Sequence, residues 1–143
     1  MKIMIDASTI LAAVAIPSAE SQEVFQICSR FPHQLVIAEA TISAVHATVH
    51  MLWPNRLSAI QDFFKNANYD RASAPHHLLH LYAQRYQFKN PSAAAVYVAA
   101  ITAEAAVILT RTCNFTQLHQ RAVTILTPRV FVRRYGSLHH LNQ

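Results

Sequence analysis

The chain of 143 residues contains a single glycine, Gly136, where average usage near 7% would supply roughly ten. That scarcity excludes whole classes of site. A phosphate-cradling P-loop, a GxGxxG dinucleotide turn and a GxSxG nucleophile elbow all use backbone conformations that glycine supplies. Charge is also sparse, at 13% of residues, about half the usual share. With 52% hydrophobic residues, the composition argues for a packed domain and against disorder. Two cysteines, Cys28 and Cys113, form no CxxC pair and no disulfide framework, which points to a reduced, cytoplasmic setting. The opening MKIMIDAST places an aspartate directly after its apolar run and reads as neither signal peptide nor anchor. The most apolar stretch, Ser92 to Leu109, is rich in alanine and contains Glu104, so it is expected to be a buried helix leading into a strand and not a membrane span.

Acids are missing from one region in particular. Residues 105–143 hold Arg111, Arg121, Arg129, Arg133 and Arg134 and no aspartate or glutamate, whereas residues 1–104 sum to zero. A basic block of this kind suits a polyanion such as RNA, or an acidic protein partner.

Apolar periodicity and proline punctuation give the order of elements. Strands are expected at Met1–Asp6, Gln34–Ile37, Ala106–Thr110 and Ala122–Leu126. Helices are expected from a cap at Ser8 or Thr9 through Ala15, at Ser18–Phe31, Ala38–Trp53, Asn55–Asn66 and His76–Gln87, then from Asn90 or Ser92 to Glu104, and from Pro128 to Tyr135. The result is a single α/β domain over residues 1–136, a small parallel sheet sandwiched by helices, with 137–143 as a disordered tail.

In an open parallel sheet, ligands gather beyond the carboxyl ends of the strands. Asp6 ends the first strand, Glu39 opens the helix after the second, and Thr110–Asn114 follow the third, so all converge on one edge. Carboxylates gathered there would hold Mg²⁺ or Mn²⁺, which prefer hard oxygen ligands. Arg111 should stand on the rim, where a planar guanidinium suits phosphate.

At these residues the chain resembles the PIN-domain family, which includes the toxin ribonucleases of bacterial toxin–antitoxin pairs. IDASTILAA is similar to that family's first strand with its leading acid, and LVIAEATISAV to its second strand with the helix-opening glutamate. SAAAVYVAAITAEAAVILTRTCNF resembles the late helix and the strand closing on T-R-D-x-D-F, and RAVTILTPRVFV resembles the final strand and helix. The resemblance implies a metal-dependent ribonuclease fold with catalytic, metal-holding acids at Asp6 and Glu39. It also implies a homodimer and a small antitoxin-like protein partner. The chain departs from the pattern elsewhere: the late-helix aspartate falls at Ala93 or Ala94, and the strand-end acids at Thr112 and Asn114. Two carboxylates hold one hydrated Mg²⁺ loosely, while two-metal catalysis needs more negative charge. The expectation is therefore a degenerate PIN-like domain that binds RNA or a partner with weak or absent cleavage. Two alternatives stand beside it: an active Mg/Mn-dependent toxin-type ribonuclease, and a non-catalytic interaction or dimerisation protein.

Thr110, Arg111, Asn90 and His46 are the expected substrate contacts. Nine histidines outnumber the seven acids, and helical spacing sets His46 and His50 on one stripe with Glu39. His50 lies about 16 Å from Glu39 along the axis, too far for a shared metal. His76 and His80 are spaced i, i+4 but lack the glutamate of a zincin motif, and no base is placed beside Cys113.

Overall fold

The computed structural model describes residues 1–16, 18–30, 32–86, 88, 91–112, 115 and 123–141, the side chains of 137–141 excepted. Strand β1 (Lys2–Ile5) leads into helices α1 (Ala7–Val14) and α2 (Ala19–Cys28). Strand β2 (Gln34–Ala38) follows, then α3 (Glu39–Leu52), a 3-10 turn at Pro54–Arg56 and α4 (Leu57–Asn66). Strand β3 (Asp70–Ala72), α5 (His76–Tyr86), α6 (Pro91–Thr102), β4 (Val107–Leu109), β5 (Thr124–Leu126) and α7 (Pro128–Leu141) complete the order.

The strands form one parallel sheet in the order β3-β2-β1-β4-β5. Strands covered on both faces read as continuous apolar runs, as the fully buried Ile3, Met4 and Ile5 do. Alternation then divides the core. Ile3, Ile5, Leu35, Ile37, Val107 and Leu109 face a layer built with residues of α1, α2, α3 and α7. Met4, Val36 and Ile108 face the opposite layer, where α6 supplies Ala93, Val96, Tyr97, Ala99 and Ala100. Small side chains let α6 lie close to the sheet with nearly all its surface covered, which accounts for the apolar stretch met in the sequence. Helix α5 rests on α6 through aromatic contacts, Tyr82 and Tyr86 lying 5.9 and 6.1 Å from Tyr97. No helix among the described residues is long and apolar enough to cross a membrane.

The chain works outward from β1 through β2 to β3, then crosses back by way of α5 and α6 to pair β4 with the other side of β1. This reversal opens a crevice beyond the carboxyl ends of β1 and β4, the place where doubly wound sheets bind ligands.

Three differences from the sequence expectation have physical causes. Strand β3 was not expected, because its three residues DRA carry exposed Asp70 and Arg71 and no apolar alternation. It forms as an edge strand in register with β2, where Gln34 Nε2 donates to Asp70 Oδ2. The helix expected from Asn55 begins instead with the 3-10 turn, followed by α4. Helix α7 continues past Tyr135 to Leu141, so its backbone extends into the segment expected to be a disordered tail.

The single glycine sits where its freedom is not used. Gly136 has no positive φ, and a Cβ there would meet Val132 Cγ1 at 3.4 Å and Glu23 Oε1 at 3.6 Å, ordinary contacts. A left-handed residue is needed instead after α6, and Glu104 fills that position at φ 59°. The Ala105 N–H donates to the Ala100 carbonyl at 2.9 Å and the Glu104 N–H to that of Ile101 at 3.0 Å, the paired bonds of a Schellman cap. Glycine is favoured at such a site because a Cβ costs about 1–2 kcal/mol in this conformation.

Candidate functional site

Asp6 leaves β1 at the switch point and does two jobs. Its side chain caps α1, accepting the Thr9 N–H on Oδ1 at 3.2 Å. The same oxygen accepts from Ser8 Oγ at 2.6 Å and from Thr9 Oγ1 at 3.3 Å. Thr110, the first residue beyond β4, donates its hydroxyl to Asp6 Oδ2. The network reaches the exit from β4 on both sides: the Arg111 N–H donates to Ser8 Oγ at 2.9 Å, and the Thr112 N–H to Thr110 Oγ1 at 3.1 Å. Asp6 is 7% exposed. Burial pushes its carboxyl above the ordinary range, and the hydrogen bonds from Ser8, Thr110 and Thr9 pull back without cancelling that effect.

Beside Asp6 opens a cleft of about 120 Å³. Three helices begin on its wall: α1 through Ala7 and Ser8, α3 through Ala40, Thr41 and Ala44, and α6 through Ser92, Ala93 and Val96. Thr112 and Phe115 close it from the β4 side. Most of these side chains are short or apolar, and the polar remainder is hydroxyl.

The expected site residues divide accordingly. Asp6 and Thr110 are joined by a hydrogen bond, and Ala93 and Thr112, two of the positions where the family pattern carries acids, stand on the cleft wall. Ala94 is buried in α6 and does not line the cleft. Arg111 is exposed next to the cleft, tied in by its backbone. Glu39 is the first residue of α3, is exposed, and is not among the residues lining the cleft. His46 does not line it either. Its Nδ1 pairs with the Ile42 carbonyl at 2.9 Å and its ring stacks on Phe64 at 5.1 Å between centroids, in the packing of α3 on α4. Asn90, Cys113 and Asn114 lie outside the described residues. The other cysteine, Cys28, is buried, which pushes its thiol up to about 12 and leaves it inert.

Sequence reasoning missed Thr41, Ala44, Ser8 and Ser92. The helical wheel contained the signal for α3: with the helix starting at Glu39, positions 40 and 44 fall on the face next to the buried Ile42–Val45–Val49 line, and buried Thr41 sits at the border between the two.

The donor set fits a divalent metal poorly. Asp6 is the single carboxylate among the described residues of the cleft wall, and its oxygens already accept four hydrogen bonds. No group of three or more His, Cys, Asp or Glu capable of holding a metal occurs among the described residues.

These elements and this edge define the VapC-like PIN-domain fold. No family model and no curated protein sequence matches the chain. Among solved structures, the chain is similar to VapBC2 from Rickettsia felis bound to a DNA fragment from its promoter, with a TM-score of 0.70 at 10% identity over 89% of this chain and 98% of that one. PAE2754 from Pyrobaculum aerophilum gives 0.69 at 14% identity, covering 96% of each chain. VapC20 from Mycobacterium tuberculosis, a Sarcin-Ricin loop cleaving toxin, gives 0.59 at 9% identity over 83% of this chain and 98% of that one.

Proposed function

We propose that this chain is a PIN-fold domain that binds RNA without cleaving it efficiently. The observation that carries the reading is the cleft wall, where Ala44, Ala93 and Thr112 stand with Asp6, the one carboxylate among the described wall residues and already engaged in capping α1. A two-metal mechanism needs several carboxylates to hold its cations against a phosphodiester. Mg²⁺ or Mn²⁺ held by Asp6 and Glu39 would have to bridge a carboxylate inside the cleft and one that does not line it.

Binding is favoured by charge at the same edge. Arg111 follows β4 and Arg129 lies in the first turn of α7 directly after β5, and both are exposed; Arg133 continues the Arg129 face one turn further on. Clustered arginine attracts a polyanion whatever its sequence.

A second reading has its own support. Met51 and Leu52, at the end of α3, are 74% and 56% exposed. Apolar side chains left open in this way suit a protein contact. The likeness to structures of VapBC and FitAB assemblies favours a small antitoxin-like partner or a second copy of this chain as what covers them.

The test is an RNA incubation in Mn²⁺ together with a binding titration at two salt concentrations. The reading expects no metal-dependent cleavage and an RNA affinity that falls steeply with salt. Cleavage in Mn²⁺ that disappears in Asp6→Asn would establish the active ribonuclease instead. Neither cleavage nor RNA binding, with copurification of a defined small polypeptide, would establish the interaction protein.

A further inference from the structure

We propose that His46 and His50 together hold one divalent cation of the Zn²⁺, Ni²⁺ or Cu²⁺ class on α3. Neither residue lines the cleft, and the site does not rest on the reading of the chain as an RNA-binding domain.

The first observation is the state of the His46 ring. Its Nδ1 lies 2.9 Å from the Ile42 carbonyl, which can only accept, so Nδ1 carries the proton. In the neutral ring the lone pair is then on Nε2. Nothing among the described residues bonds Nε2, and it is not one of the buried unpartnered atoms, so it reaches solvent. A ring that donates one nitrogen to a backbone carbonyl and leaves the other open is oriented as metal-binding histidines are. The stack on Phe64, at 5.1 Å and 23° between planes, fixes the ring from its face as well. Little side-chain freedom is left to lose when a ligand arrives.

The second observation is His50, one turn further along α3 and exposed. Residues four apart on a helix share a face, with Cβ atoms about 5–6 Å apart. Helical side chains lean toward the preceding turn, so His50 leans toward His46. No hydrogen bond or ring contact engages His50 among the described residues. One ring is held and the other is free to swing, which lets both nitrogens close on a common ion at about 2.0–2.1 Å.

The ligand type selects the ion. Two imidazoles suit Zn²⁺, Ni²⁺ and Cu²⁺, whereas Mg²⁺ prefers oxygen and Mn²⁺ stands at the weak end of the divalent series. No carboxylate completes a group of three with them among the described residues, so water takes the remaining positions. The same spacing recurs at His76 and His80 on α5, without the anchoring. Both of those rings are exposed, neither is stacked, and His80 Nε2 lies 3.2 Å from Gln84 Nε2.

The test titrates the full chain, without an affinity tag, with Zn²⁺ alone and follows the histidine ring ¹H–¹³C signals. The signals of His46 and His50 are expected to shift together and to saturate at lower Zn²⁺ than those of His76 and His80. His50→Ala should weaken the site by about tenfold or more, since losing a ligand costs at least as much as losing a group that orients one. His46→Phe, which keeps an aromatic ring against Phe64, should weaken it equally in a chain that stays folded. His76→Ala should leave it unchanged, and excess Mg²⁺ should not displace the Zn²⁺. Signals of His46 and His50 that move without saturating, or no earlier than those of His76 and His80, would overturn the proposal. So would a His50→Ala chain that binds as the parent does, or displacement of Zn²⁺ by Mg²⁺.

Discussion

Two acids stand at the same edge of the sheet, each at the start of a helix, and the fold uses them in opposite ways. Asp6 precedes α1, is buried, and accepts four hydrogen bonds, of which the one from Thr110 ties the exit of β4 to that of β1. Glu39 lies within the first turn of α3, exposed, with no side-chain cap bond formed there. A shift of one position relative to the helix start separates them: a residue before the helix folds its oxygen back over the open N–H groups, while a residue inside the first turn projects outward. Acids at one edge are thus not equivalent as ligands, since Asp6 is already committed to the backbone.

The largest expected effect breaks the Asp6 side of this contrast. Asp6→Ala removes a helix cap and leaves the Ser8 and Thr110 hydroxyls without their acceptor, which should cost about 2–3 kcal/mol in urea unfolding. Equal losses from Asp6→Ala and Glu39→Ala would refute the division of roles.

The pH profile sharpens the same point. Because burial raises the folded-state pKa of Asp6, the native chain holds this proton more tightly than the unfolded chain. Its contribution is therefore fully present below the ordinary value of 3.8 and is lost as pH rises through the higher folded value. The slope attributable to this one group is at most about 1.4 kcal/mol per pH unit. Asp6→Asn should lack this component, and a difference profile of parent minus variant that is flat across the window would contradict it.

The mismatch between position and residue recurs on a smaller scale at Glu104 and Gly136. Glu104→Gly should stabilise the chain by about 1 kcal/mol by relieving the left-handed conformation. Gly136→Ala should add about 0.5–1 kcal/mol, since the helix gains a better former and the new Cβ makes ordinary contacts. Destabilisation by Gly136→Ala would show that α2 and α7 need the small residue. Smallest of all, Glu39→Gln should stay within about 0.5 kcal/mol, as exposed substitutions do.

Much of the fold was legible because it follows from local signals. Continuous apolar runs gave β1, β2 and β4, prolines marked the helix boundaries, and alanine density gave α6. Strand β3 was not legible, because an edge strand of DRA owes its existence to pairing with β2 and not to its own pattern. In the site, the position of Asp6 could be read from its place after β1. The face that α3 turns toward the cleft was within reach of a helical wheel started at Glu39, but that this face meets a cleft depends on the packing of α3 against α1 and α6. His46 illustrates the limit: spacing placed it on a stripe with Glu39, but its surroundings come from Phe64 on another helix.

The described wall of the cleft carries one carboxylate, Asp6, and a Mn²⁺ titration of the parent and of Ala93→Asp/Thr112→Asp shows whether that is too little to hold a catalytic metal. The expectation is no saturable Mn²⁺ site in the parent below roughly 1 mM, and an affinity gain on the order of tenfold or more when two acids are placed beside Asp6. A stoichiometric, micromolar Mn²⁺ site in the parent that vanishes in Asp6→Asn would contradict it.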